Sequence, residues 1–195
     1  MARIPPIRFE DATPAIKAEY QKVIESHGVV TNMKATLLHS LPALRAVLEW
    51  YTLFDRVKPA LGERLAILFC HAISRENACT LCTTFMRRAI IKGGEDPDHL
   101  ALDEREQAVV DFGRQLAADA NRVSDALYAR LAAHFTPAEI VDLTVFGALM
   151  IVNNVFNSAL QVDLDESLDA YRIQPEQTFA TLSPFPSSAI EGGVA

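Results

Sequence analysis

The sequence predicts an all-α bundle, and three observations carry that expectation. Good N-cap residues recur along the chain, at Thr13, Ser40, Asn77, Asp103, Ser124 and Thr136, each ahead of a helix-forming stretch. Half of the 195 residues are apolar, which suits helices wrapped around a large core or a subunit interface. The stretch Glu63 to Gly94 reads as two helices hinged at Arg75-Glu76-Asn77, with Cys79-Thr80-Leu81-Cys82 opening the second.

Taken in order, Ile4-Pro5-Pro6-Ile7 is extended, because proline fixes its own φ and turns its predecessor away from helix. Thr13-Pro14 starts a helix to about Ser26, which His27-Gly28 closes, and Val29 to Met33 is a loop. Ser40 and Pro42 open a helix to about Val57, where Lys58-Pro59 breaks it. Leu44, Val47, Leu48, Tyr51 and Phe54 recur at helical spacing, so Trp50 and Tyr51 are expected in the core rather than in a ligand box. In the hairpin that follows, Asn77 caps the second helix and Gly93-Gly94 stops it.

Asp96-Pro97 begins a short turn, and Asp103 with Glu106 forms a capping box for a helix to about Ala120. Ser124-Asp125 starts another to about His134, and Thr136-Pro137 starts the longest, through Leu160. Leu143 to Val152 is ten residues without a charge. That run is too short to span a bilayer and apolar on most sides, so it is expected as the central core or oligomer helix. Asn153, Asn154 and Asn157 can cap, crosslink helices or reach the site, with crosslinking the expected role, and Asp163 to Glu166 is expected to start a last short helix. Residues 1–172 form one helical domain, and 173–195 an extended Pro-rich tail whose Phe179, Leu182 and Phe185 suit docking.

Charge and motif limit the function classes. A net charge of −7 argues against nucleic acid and anionic membranes as partners. Met1-Ala2-Arg3-Ile4-Pro5-Pro6 lacks a signal peptide's apolar run, which makes the cytoplasm the expected compartment. No phosphate-binding Gly-rich loop, Gly-x-Ser-x-Gly elbow or His-Glu-x-x-His occurs, and no cofactor is expected. A zinc site from Cys70, His71, Cys79 and Cys82 is disfavoured, because Cys70 and His71 are neighbours about 100° apart around a helix. Cys70 is then a packed core thiol.

Cys79 and Cys82 remain as the candidate chemistry. Cysteines three apart on a helix share a face and can close a disulfide after small adjustment. At a helix N-terminus the dipole and free amides favour a thiolate, and outside the secretory path such a pair reads as a redox dithiol. Two packing cysteines would be the ordinary alternative.

Ile73-Ser74 … Asn77-Ala78-Cys79-Thr80-Leu81-Cys82 resembles the core of the alkylhydroperoxidase D-like, or carboxymuconolactone decarboxylase-like, superfamily. Val29-Val30-Thr31-Asn32-Met33 … Leu38-His39-Ser40-Leu41-Pro42-Ala43-Leu44 resembles the lead-in of its peroxidase-related branch. Asn153-Asn154-Val155-Phe156-Asn157-Ser158-Ala159 resembles that branch's late helix. The resemblance runs from about residue 4 to about residue 170. It implies an orthogonal helical bundle with the Cys-x-x-Cys hairpin at its centre, assembled as a homo-oligomer.

Peroxidase members carry a Glu twelve residues before the first Cys and a His four after the second, which relay the proton of the second Cys. Those positions are Ile67 and Met86 here, and neither accepts a proton. Glu63 and His71 lie one turn either side of Ile67, so a shifted relay through them stands beside their plainer reading as a solvated acid and a packed histidine. The resemblance implies a Cys79/Cys82 hydroperoxide reductase, slow without the relay and re-reduced by a dithiol or thioredoxin-like protein. The family's attacking residue corresponds to Cys82, whereas helix-terminus placement favours Cys79 as the more acidic thiol. A catalytically degenerate redox-sensing or binding protein and a carboxymuconolactone decarboxylase-like enzyme are the alternatives.

Overall fold

A computed structural model of the protein describes residues 2–173. The expected Pro-rich tail, past its first residue, lies outside the described residues. Among the described residues every regular element is helical. In chain order the α-helices are α1 (Pro14–His27), α2 (Asn32–Leu37), α3 (Leu41–Leu61), α4 (Glu63–Glu76), α5 (Thr80–Lys92), α6 (Glu104–Asp119), α7 (Asp125–Ala132) and α8 (Pro137–Leu160). Short 3-10 turns follow α6 and α8, at Ala120–Arg122 and Glu166–Tyr171.

Local capping chemistry starts most of these helices. The side chains of Thr13, Ser40 and Ser124 each accept from the backbone amide three residues on, and Asp103/Glu106 and Thr136/Glu139 close reciprocal capping boxes. Four expectations need correction. Residues 29–33 are not all loop: Thr31 caps α2, a helix of 6 residues, too short to declare itself by periodicity. Pro59 does not end α3, which continues to Leu61; a proline in the last turn removes one bond while Gly62 N–H still reaches the Lys58 carbonyl at 2.8 Å. The last short helix, expected to start at Asp163 to Glu166, does start at Glu166 but is 3-10 and not α. Asn77 does not cap α5; Cys79 does.

The central helix is α4, not α8. Leu65, Ala66, Leu68, Phe69, Cys70, His71, Ala72, Ile73 and Ser74 are all buried there, and α4 packs on α3, α5, α6 and α8. Phe69 is wholly buried, its ring between α6 and α8: a Cβ added to Gly113 or Gly147 would sit 2.9 Å from it. Phe112 and Phe146 stack on the same ring at 6.4 and 6.0 Å between centroids. A smaller cluster, Val23, Leu37, Leu38 and Leu44, joins α1 and α2 to α3.

By length and composition α8 is apolar enough to cross a membrane. It instead buries one side, Ile140, Leu143, Phe146, Gly147, Met150, Asn154 and Asn157, in the bundle. The opposite side leaves Val141, Val145, Val152 and Val155 exposed, so the all-round burial expected of this helix is not found.

Candidate functional site

The turn between α4 and α5 sets the dithiol. Ala78 takes a left-handed backbone (φ 52°), which an L side chain adopts at a cost of order 1 kcal/mol. That residue places Cys79 in extended conformation as the N-cap of α5, where its Sγ accepts the Cys82 amide at 3.3 Å. The Asn77 side chain is engaged elsewhere: Nδ2 donates to the Ala117 carbonyl at 3.2 Å, and Oδ1 accepts from Asn154 Nδ2 at 3.1 Å. Asn154 also accepts from the Ser74 hydroxyl at 3.3 Å. These bonds tie the hinge to α6 and α8, so Asn154 is a crosslink.

Asn157, three residues further along α8, reaches the sulfur instead. Its Nδ2 donates to Cys82 Sγ and to Met33 Sδ, each at 3.2 Å. The two cysteines then divide the charge. The Cys79 thiol is drawn down to about 7, first because the Cys82 thiol donates to it, against burial, with the Cys82 and Leu81 amides and the Ser158 hydroxyl assisting. Cys82 is pushed up, first as that donor and then by burial, with Asn157 opposing. When the pair loses one proton, the remaining proton is held on Cys82 and the charge falls on Cys79. Cys70 is fully buried and its thiol is raised by desolvation.

Beside Cys82 lies a cavity of ≈ 90 Å³. Its apolar wall includes Leu48, Trp50, Tyr51, Phe85 and Met86, with Lys34, Asn153, Asn157 and Asp165 as the polar groups. Trp50 and Tyr51, expected as plain core residues, therefore face a ligand-sized space. Cys82 lines it and Cys79 does not. Met86, one turn beyond Cys82, lines it too, while Ile67 is half-buried against the main core.

Glu63 and His71 stand apart from this site. Glu63 is exposed at the start of α4 and pairs with Lys58 at 2.7 Å. His71 is buried and does not line the cavity; burial first, then Arg75, Arg87 and Arg114 against Asp98, lower it to about 3, leaving a neutral ring. The structure does not bring either to the cavity side of Cys82. Among the described residues, no three His, Cys, Asp or Glu side chains group as a metal site. Sequence reasoning missed Lys34 and Asp165 as cavity groups, and Asn157 meets the sulfur, the less favoured of the roles that its motif allowed.

A buried dithiol at a helix N-terminus, with one sulfur lining an apolar cavity, sits in an all-α bundle that is similar to the alkylhydroperoxidase D-like fold. Comparison with solved structures places the chain in that fold. It is similar to the debrominase Bmp8 (TM-score 0.71, 14% identity, 86% of this chain and 95% of that one). Similar coverage holds for a cysteine-to-alanine variant of Bmp8 in complex with 2,3,4-tribromopyrrole (TM-score 0.71, 13% identity, 86% and 94%). A peroxidase-related protein with an alkylhydroperoxidase AhpD core from Ralstonia eutropha JMP134 aligns at TM-score 0.67 with 18% identity, over 86% of this chain and 94% of that one. No protein-family model and no curated protein matches the sequence.

Proposed function

We propose that the protein is a dithiol oxidoreductase that reduces a small organic hydroperoxide held in the cavity beside Cys82. The observation that carries this reading is the division of labour in the pair: Cys82 faces the cavity, and Cys79 holds the charge behind it. As Cys82 Sγ attacks the outer peroxide oxygen, its proton passes to Cys79, the O–O bond breaks and an alkoxide leaves. Cys79 then attacks the Cys82 sulfenic acid, water leaves, and a Cys79–Cys82 disulfide forms. The cavity wall is apolar, which favours an organic peroxide over hydrogen peroxide. An external dithiol, in a reducing compartment such as the cytoplasm, would restore the thiols.

The test is dilute organic hydroperoxide followed by mass spectrometry. The expected result is a Cys79–Cys82 disulfide with Cys70 free, forming faster as pH rises through about 7, because the lowered Cys79 thiol must lose its proton first. Three thiols left unpaired, or a bridge to Cys70, would sink the proposal. A second reading, reduction of an aryl halide, draws on the likeness to a debrominase and on the polarisable wall of Met33, Met86 and Phe85. A brominated pyrrole that oxidises the pair while hydroperoxides do not would favour it.

Self-association is proposed as well. On α8, Val141, Val145, Ala148, Val152, Val155 and Ala159 are exposed and fall within an arc of about 80° at 100° per residue. The order is nearly palindromic about Ala148, so two copies crossing antiparallel there would set Val145 against Val152 and Val141 against Val155. Val145→Lys with Val152→Lys is expected to convert a dimer to a monomer in sedimentation. A wild type that is monomeric at high concentration would refute the contact.

A further inference from the structure

The polar side of the cavity is built around Lys34. This residue is 7% exposed, on α2, and its ammonium makes one hydrogen bond, to the Val29 carbonyl at 3.2 Å. The Tyr51 ring lies 5.1 Å from Nζ and supplies a cation–π contact, not an acceptor in the ordinary sense. An ammonium has three donors, and a buried cation with incomplete pairing is costly. Asp165 also lines the cavity, but its Oδ1 accepts the Asn32 amide at 2.8 Å and its Oδ2 is buried without a partner. No ion pair within 4.0 Å joins it to Lys34 among the described residues.

Resting on the dithiol reading above, we infer that the cavity takes an acidic small molecule: an apolar, ring-sized body with one anionic group, held by Lys34, and its reactive end at Cys82. The anion fills the donors that Val29 leaves open. Tyr51, Trp50 and Phe85 offer faces to the body, and the orphaned carbonyl oxygens of Asn153 and Asn157 offer acceptors for a donor on it. The substrate would then be a hydroperoxide or halide that also carries a carboxylate or comparable anion.

Charge at Lys34 depends on pH within reach of experiment. Burial lowers its pKa to about 8, against Asp165, which raises it. The other titratable groups around it are Tyr51, raised by burial, and His27, which stacks on Tyr51 at 4.0 Å and is itself lowered by burial and by Lys34. None of these supplies a second cation at neutral pH, so preference for an anion reads Lys34.

Trp50 is the single tryptophan of the chain and lines the cavity, so its fluorescence reports occupancy. Benzoate and benzyl alcohol, unreactive and alike in size, are the probes. Benzoate is expected to bind the wild type at least about tenfold more tightly at pH 6.5, since a hydrogen bond to a charged group is worth that much. The preference should fade as pH rises past about 8, vanish in Lys34→Met and persist in Lys34→Arg. Equal affinity of the two probes, a preference independent of pH, or a preference kept by Lys34→Met would overturn the inference. If Lys34→Met fails to fold, the pH series in Cys79→Ser, where no thiolate forms beside Cys82, still decides. Because neither probe reacts with thiols, this result is separate from disulfide formation.

Discussion

Met86→His is expected to raise the rate of hydroperoxide reduction by about 10²–10⁴-fold, the usual contribution of a positioned proton-transfer group. Met86 lines the cavity one helical turn beyond Cys82, so an imidazole there stands on the side where the alkoxide departs. In the proposed mechanism Cys79 receives the Cys82 proton, but it is 1% exposed and does not line the cavity, so it has no path to return that proton to the leaving oxygen. The native site thus has a proton acceptor behind Cys82 and, one turn beyond it at position 86, a thioether where a proton donor would stand. Ile67 does not line the cavity, and the gain is expected from position 86 alone. The measurement is kcat/KM for an organic hydroperoxide with excess dithiol reductant, across pH 6 to 8. An unchanged value in a folded variant would show that leaving-group protonation does not limit the reaction, and Asn157→Leu would be examined next.

Phe69→Ala is expected to cost about 3–5 kcal/mol in denaturant unfolding, the range for a large aromatic removed from a packed core. Phe69 is wholly buried where α4, α6 and α8 meet, between Gly113 and Gly147. The glycines make a sharper test. In an ordinary helix Gly→Ala gains up to about 1 kcal/mol. Here the new Cβ would meet the Phe69 ring at 2.9 Å, so Gly147→Ala should instead lose about 1–3 kcal/mol through overpacking. Combined with Phe69→Leu, the Gly147→Ala penalty should shrink, since the ring atoms are gone and only Leu116 Cδ1, at 3.0 Å, still crowds the new Cβ. A Gly147→Ala protein as stable as the wild type would show that α8 moves outward without loss.

The longer helices were legible in the sequence because their signals are local. Thr13, Ser40, Asp103, Ser124 and Thr136 cap with an atom three residues away, a relation that any chain position carries with it. Cys79 and Cys82 were legible for the same reason: a three-residue spacing on one helix turn. Asn77 misled because a capping side chain can also bond outward, and only the packed bundle offers it Ala117 and Asn154.

What the tertiary structure alone decided concerns surroundings. The apolar run of α8 reads the same whether its outer face is covered or open, since hydropathy records the side chain and not its neighbours. The same holds for Lys34, an ordinary lysine in sequence that becomes a cavity cation only because α3 and the segment before Glu166 close over it. Cys82 gains its donor from a residue 75 positions away. By itself the sequence determined the longer helices, the hinge region and the dithiol; packing decided which sulfur meets the cavity and what charge awaits a ligand there, because burial and electrostatic environment are properties of contacts between distant segments.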